Sequence, residues 1–251
     1  MEKTLKKVFD RPSSLYETPM MYCPGCGHGV IHRLVAEVID ELGLRGKTIA
    51  VFGVGCYCLA YRYMDMDWIY TLHGRSPAVA TGIKRSLPDR LVYTYQGDGD
   101  LGSIGIAEAI HAAIRSENFS IVFVNNATYG MTGGQKAPTS LEGQVTTTSP
   151  YGRDSKTTGH PFKISEMFAT IQGATYITRQ SVHSAQNVLK TKKAIKKSFG
   201  LQMRGKGFSM VEILSTCPSA WKLTPLESVA WVEENMLPVF PLGDLKPYEE
   251  E

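Results

Sequence analysis

Two features of this 251-residue chain have residue types and spacings that could do chemistry: its cysteines and one acidic turn. Cys23-Pro24-Gly25-Cys26 places two thiols at the C-x2-C spacing that lets both reach one metal. Such a pair suits zinc, an iron–sulfur cluster or a redox dithiol. Cys56, in Gly55-Cys56-Tyr57-Cys58, and Cys217, in Cys217-Pro218, are candidates to complete a four-thiolate set. Cys58 reads as a buried free thiol, the usual state of an unpaired cysteine. Between these cysteines runs Gly97-Asp98-Gly99-Asp100. Gly97 and Gly99 let the backbone bend tightly and approach a ligand. Asp98 is a hard oxygen donor of the kind Mg²⁺ uses when it shares its shell with phosphates. Asn126, 28 positions further on, can add an amide oxygen, and Thr128 a backbone carbonyl. Together the two features predict organic chemistry at a diphosphate cofactor coupled to electron transfer.

These residues need a scaffold, and the hydrophobic pattern supplies one. Apolar residues recur on one helical face over 30–42, and Gly43 ends the run. Further helices are predicted over 77–87, 103–115, 164–172, 183–199 and 225–237. Short β-branched or apolar runs predict strands over 48–54, 91–96, 121–124, 174–178 and Phe208–Leu214. Alternation of this kind specifies an α/β protein, a mostly parallel sheet with helices on both faces. Ligands in such folds bind at the carboxyl ends of strands, and three strands here run into VGC, QGDGD and VNN. Residues 127–162 have no regular period, as expected of a functional loop. Residues 1–21 read as an N-terminal arm, 22–237 as one domain and 238–251 as a C-terminal tail.

Composition narrows the functional classes. A net charge of +3 is too small to argue for nucleic acid. No apolar run approaches a membrane span, and no apolar segment follows the charged N-terminus, so the expectation is a cytoplasmic protein. In a reducing compartment five cysteines read as ligands or free thiols before disulfides.

Gly97-Asp98-Gly99 followed by Asn125-Asn126 resembles the signature of thiamine diphosphate enzymes. The longer strings YCPGCGHG, TLHGR, YQGDGDL and NNATYGMTGGQ resemble the thiamine-binding β subunit of the 2-oxoacid:ferredoxin oxidoreductases. The resemblance covers about residues 22–135, with Cys217-Pro218 as a later anchor. TTTSPYGRD is most similar to the 2-oxoisovalerate (branched-chain) members, and then to the 2-oxoglutarate members. This resemblance implies a thiamine diphosphate-binding fold and the oxidative decarboxylation of a 2-oxoacid to acyl-CoA and CO2. It implies Asp98, Asn126 and the Thr128 carbonyl as magnesium ligands, and Cys23, Cys26, Cys56 and Cys217 as ligands of one [4Fe–4S] cluster. Gly97, Gly99, Asp100, Gly130 and Met131 would line the diphosphate and thiazolium. Val54, Gly55, Cys56, Tyr57 and His73 would complete the pocket. Thr132 would face the reacting carbon, and His73 and Thr132 are the implied catalytic residues. Coenzyme A is the implied co-substrate. The implied partners are an α subunit supplying the thiamine-activating glutamate, a γ subunit, and ferredoxin or a ferredoxin-like δ subunit. Leu59 departs from relatives that carry a basic residue there.

Two other classes share parts of the pattern. One is a non-redox thiamine decarboxylase or synthase with structural zinc at the cysteines. The other is an iron–sulfur electron-transfer module without thiamine. His28 and His32 read as structural histidines. Lys190, Lys192, Lys193, Lys196 and Lys197 read as a solvated face before a ferredoxin-steering one. Trp221 and Trp231 read as anchors of the last helix.

Overall fold

The computed structural model describes residues 10–250. Its elements, in chain order, are α1 (His28–Glu41), β1 (Thr48–Phe52), β2 (Asp67–Tyr70), α2 (Ser76–Ser86), β3 (Leu91–Gly97), α3 (Ile106–Ile114), β4 (Ser120–Asn125), α4 (Ser155–Thr158), α5 (Ile164–Ala169), β5 (Ala174–Ser181), α6 (Ala185–Met203), β6 (Phe208–Leu214), α7 (Pro218–Trp221), α8 (Pro225–Trp231), α9 (Leu237–Val239) and β7 (Gly243–Lys246). The strands form one seven-stranded sheet, ordered β2-β1-β3-β4-β6-β5-β7. All pairings are parallel except β5–β7.

Strands β3, β4 and β6 are near-continuous apolar runs because both their faces are covered. On one face α1 and α6 pack Ile31, Leu34, Val35, Ile195 and Phe199 against Phe52, Tyr93 and Val211. On the other, α2, α3 and α5 bring Ala80, Ala109, Ile164 and Phe168 onto Val51, Ile121 and Met210. Helix starts follow local chemistry. Pro77, Pro218 and Pro225 sit in the first turns of α2, α7 and α8. Thr224 and Glu227 close a capping box on α8, and Ser184 caps α6.

The sequence expectations shift in definite places. The helix expected over 103–115 begins later, because Asp100–Ile104 form a wide π-type turn. The helix expected over 225–237 is divided into α8, a π-turn at Val232–Met236 and α9. Strands β2 and β7 had no forecast. Every residue of β2 is exposed, so it lacks the buried alternation that reveals a strand. The segment 238–251 supplies β7 and the buried Phe240. Of the N-terminal arm, the first nine residues lie outside the described residues. The rest is tied down: Ser14 bonds Asp40, Leu15 bridges Met64, and the Met21 amide donates to Tyr63. On α6, Lys192 pairs with Glu37 and Glu41 of α1, Lys196 pairs with Glu41, and Lys197 lies over the Tyr176 ring. Two of the five lysines, Lys192 and Lys196, therefore help to hold α6 on α1.

Registers align the carboxyl ends of the central strands. Phe52 lies beside Tyr95, Gly97 beside Val124, and Asn125 beside Leu214. The segments leaving β1, β3, β4 and β6 therefore meet on one rim.

Candidate active site

A cleft of about 260 Å³ opens on that rim. Val54, Gly55, Cys56 and Tyr57 line it from beyond β1, and His73 from before α2. Gly97 to Asp100 line it from β3, and Asn126, Thr128, Gly130, Met131 and Thr132 from the loop after β4. Every cofactor residue expected from the sequence thus faces one cavity, together with His28, Val124 and Tyr129.

Asp98 is buried at its floor. Oδ1 accepts from the Gly99 amide at 2.8 Å. Oδ2 accepts from the Thr139 hydroxyl at 2.6 Å and the Thr128 amide at 3.2 Å. All three donors are neutral, and burial pushes the Asp98 carboxyl up to about 7. A buried carboxylate with no cation among the described residues bonded to it fits a site whose positive charge comes from a ligand. Thr139 was not singled out from the sequence, because it sits 41 positions from Asp98 in a segment without a period. Thr139→Val keeps the shape and removes the donor. It is expected to lower stability by about 1–3 kcal/mol in denaturant unfolding.

Gly99 has a role that the sequence reading did not assign to it. Its φ is −70°, so no left-handed turn requires glycine. Instead the Tyr129 ring lies against its Cα, where any Cβ would overlap the ring, and the Tyr129 hydroxyl donates to the Gly99 carbonyl at 3.2 Å.

Asp100 is a second buried carboxylate, and it organises the wall. It accepts from the Gly74 amide at 2.6 Å and from Gln96 Nε2 at 2.7 Å. His73 Nδ1 lies 2.7 Å away, as a charge contact rather than an aligned hydrogen bond. That carboxylate holds the His73 imidazole above its ordinary pKa. A Cβ on Gly53 would approach the Asp100 oxygens to 2.6 and 2.9 Å and the Tyr57 hydroxyl to 2.8 Å. Gly53 therefore has to be glycine for Asp100 and Tyr57 to pack as they do.

The four ligand-candidate thiols gather beside the same cleft. A Cβ on Gly130 would lie 3.1 Å from Cys217 Sγ, 3.8 Å from Cys56 Sγ and 3.8 Å from Asn126 Nδ2. Cys26 feels the charges of Cys56 and Cys23, and Cys217 feels those of Cys26, Cys56 and Asp98. Burial pushes Cys26 and Cys56 up to about 11 and Cys217 to about 12. Thiols so placed need a positive centre to become thiolates. Among the described residues, no three Cys, His, Asp or Glu side chains close around a position for one ion. Cys58 is buried in the core beneath them, within electrostatic reach of Cys56.

The two candidate centres share supports. Trp221, at the end of α7 just after Cys217, donates its indole N–H to the Asn126 carbonyl at 3.2 Å and packs on Trp231 at 4.2 Å between ring centroids. The Thr216 hydroxyl donates to the Gly25 carbonyl at 2.6 Å, joining Cys217's segment to the Cys23–Cys26 turn. Asn125 donates to Glu212 at 2.7 Å and accepts from the Ala127 amide at 3.1 Å. These contacts fix the left-handed Ala127 (φ 54°) that turns the chain between Asn126 and Thr128.

A mostly parallel α/β sheet with an acidic turn and an Asn-Asn strand end on one rim is the arrangement in which the sequence matches a thiamine diphosphate-binding domain. Residues 53–213 match the thiamine pyrophosphate enzyme C-terminal TPP-binding domain family. The chain is 36% identical to the 2-oxoglutarate synthase subunit KorB of Archaeoglobus fulgidus, covering 86% of this chain and 77% of that one. It is 42% identical to the ketoisovalerate oxidoreductase subunit VorA of Methanothermobacter marburgensis over 97% of this chain and 51% of that one. The chain thus spans about half the length of that relative. A solved 2-oxoglutarate:ferredoxin oxidoreductase from Magnetococcus marinus, with 2-oxoglutarate, coenzyme A and succinyl-CoA bound, superposes with a TM-score of 0.81 at 29% identity, covering 98% of this chain and 87% of that one. The chain belongs to the thiamine-binding subunits of the 2-oxoacid:ferredoxin oxidoreductase family. Among the described residues no helix is long and apolar enough to cross a membrane.

Proposed function

We propose that this chain is the catalytic β subunit of an enzyme that oxidatively decarboxylates a 2-oxoacid to acyl-CoA and CO2 and delivers the electrons to ferredoxin. The observation that carries this reading is the convergence of Asp98, Asn126 and the four thiols on one cleft. Thiamine diphosphate held in the cleft would supply an electron sink for loss of CO2, and a [4Fe–4S] cluster held by the thiols would supply one-electron redox chemistry.

Asp98, the Asn126 amide oxygen and the Thr128 carbonyl would hold Mg²⁺ on the diphosphate. Gly97, Gly99, Asp100, Gly130 and Met131 would line the cofactor. Val54 to Tyr57 would wall it, and His73 and Thr132 would face the reacting centre. Cys23, Cys26, Cys56 and Cys217 would hold the cluster.

No glutamate is among the residues lining the cleft. A partner α subunit is the proposed source of the one that activates thiamine, with a γ subunit and a ferredoxin-like δ subunit completing the enzyme. The exposed Val54 and Met131 form part of the lining, and their apolar surface suits the aliphatic side chain of a 2-oxoisovalerate-type substrate.

Calorimetry tests the clamp. The parent chain is expected to bind thiamine diphosphate only with Mg²⁺. Asp98→Asn should weaken that binding by at least ~100-fold, beyond the 10–100-fold typical of losing an outer-shell partner. Equal binding by both proteins would remove the clamp. Anaerobic iron and sulfide analysis tests the thiols, and zinc without sulfide would replace the cluster.

A further inference from the structure

His28 is the first residue of α1 and is almost fully buried. Its Nδ1 lies 3.2 Å from Cys26 Sγ. It also lines the cleft that holds Asp98 and Asn126. One side chain therefore touches a thiol of the sulfur site and forms part of the cofactor wall.

The ring is held firmly. Tyr22 stacks on it, with centroids 5.3 Å apart and planes 16° from parallel. Tyr22 is itself fixed by a hydrogen-bond chain whose directions its partners determine. Its hydroxyl donates to the Cys56 carbonyl at 3.0 Å, so it accepts from His32 Nε2 at 2.7 Å. His32 Nδ1 then accepts from the Tyr95 hydroxyl at 3.0 Å. A metal-bound Cys26 thiolate sulfur can only accept, so in that state the hydrogen of this contact sits on His28 Nδ1.

We propose that His28 is a positioning residue of the sulfur site, whose ring N–H on Cys26 Sγ raises the reduction potential of the centre those thiols hold. The inference rests on the cluster reading given above. Hydrogen bonds to ligating sulfurs are among the levers that set such potentials, because they stabilise the more negative, reduced state. The His28 backbone N–H also acts on Cys26, and side-chain substitution leaves it in place.

The test is an EPR-monitored redox titration of the full chain, assembled anaerobically with its partners, with iron and sulfide measured on each sample. His28→Phe keeps a ring against Tyr22 and removes the donor. His28→Asn keeps a donor where Nδ1 stands, and His28→Leu is its donor-free counterpart of equal size. Phe and Leu are expected to shift the potential negative, with Asn near the parent. Should Phe not load iron, the Asn and Leu pair gives the same comparison. Potentials for Phe and Leu equal to the parent's, or an Asn variant displaced as far as Leu, would overturn the inference while leaving the cluster intact. A parent without iron and sulfide overturns the cluster reading and this inference with it.

Discussion

Replacing Arg179 with leucine is expected to destabilise the protein by about 3–5 kcal/mol, although Arg179 touches no residue of the cleft. Arg179 is fully buried on β5. Its Nε donates to Glu212 at 2.8 Å, and its Nη atoms donate to both Glu166 oxygens. Glu212 is itself buried on β6 and cannot rehydrate. Leucine would leave its charge unpaired in the sheet, next to Asn125. Burial alone would raise the Glu166 carboxyl, and the Arg179 bonds outweigh it and hold the group below its ordinary value. A depressed carboxyl contributes stability that is present above its unfolded pKa and lost as pH falls through the folded one. The gap between parent and variant should therefore narrow on acidification below about pH 4. Urea unfolding at several pH values measures both effects. A second substitution, Glu212→Gln, should recover part of the loss. A variant as stable as the parent would show that the network carries no net energy.

The second large effect is expected at Arg153. It is buried, and each of its hydrogen bonds goes to a backbone carbonyl: Ala137, Pro138, Ser140, Gly159 and His160. These five oxygens belong to the irregular segment after β4, so a single guanidinium replaces the absent strand ladder. Arg153→Met should lower stability by roughly 3 kcal/mol or more, since bonds to a charged group contribute about 1.5–3 kcal/mol each and are not additive. It should also weaken Mg²⁺-dependent thiamine diphosphate binding by at least tenfold. The segment carries Thr139, which bonds Asp98, and Ser140 and Gln144, which fix the Ala127 carbonyl. Calorimetry read beside a melting curve checks this prediction. Unchanged affinity in a folded variant would mean that the segment holds the cleft without Arg153.

The contrast between these two arginines and the motif residues explains what the sequence made legible. Asp98, Asn126 and the CxxC pair were readable because each sits in a short string at a strand end or helix start, where local chemistry dictates the residue. β6 was readable to its boundaries, Phe208–Leu214, because both its faces are buried and its apolar run is unbroken. Arg153 and Thr139 act across tens of residues on oxygens that every residue possesses, and no side-chain pattern announces that. β7 was hidden for a similar reason: Gly243–Lys246 becomes a strand through pairing with β5, not through its own preference. Gly99 was recognised as necessary, but the Tyr129 ring that requires it lies 30 positions away.

The indole bond from Trp221 to the Asn126 carbonyl has a thermodynamic corollary. It ties the short helix that follows Cys217 to the strand end that carries Asn126, the proposed oxygen ligand. Whatever steadies either end tightens the other by the same factor, because linkage is reciprocal. On the proposed reading, a chain that had received its sulfur-bound centre would be the better host for the nucleophilic coenzyme, and half-built forms would be the least populated.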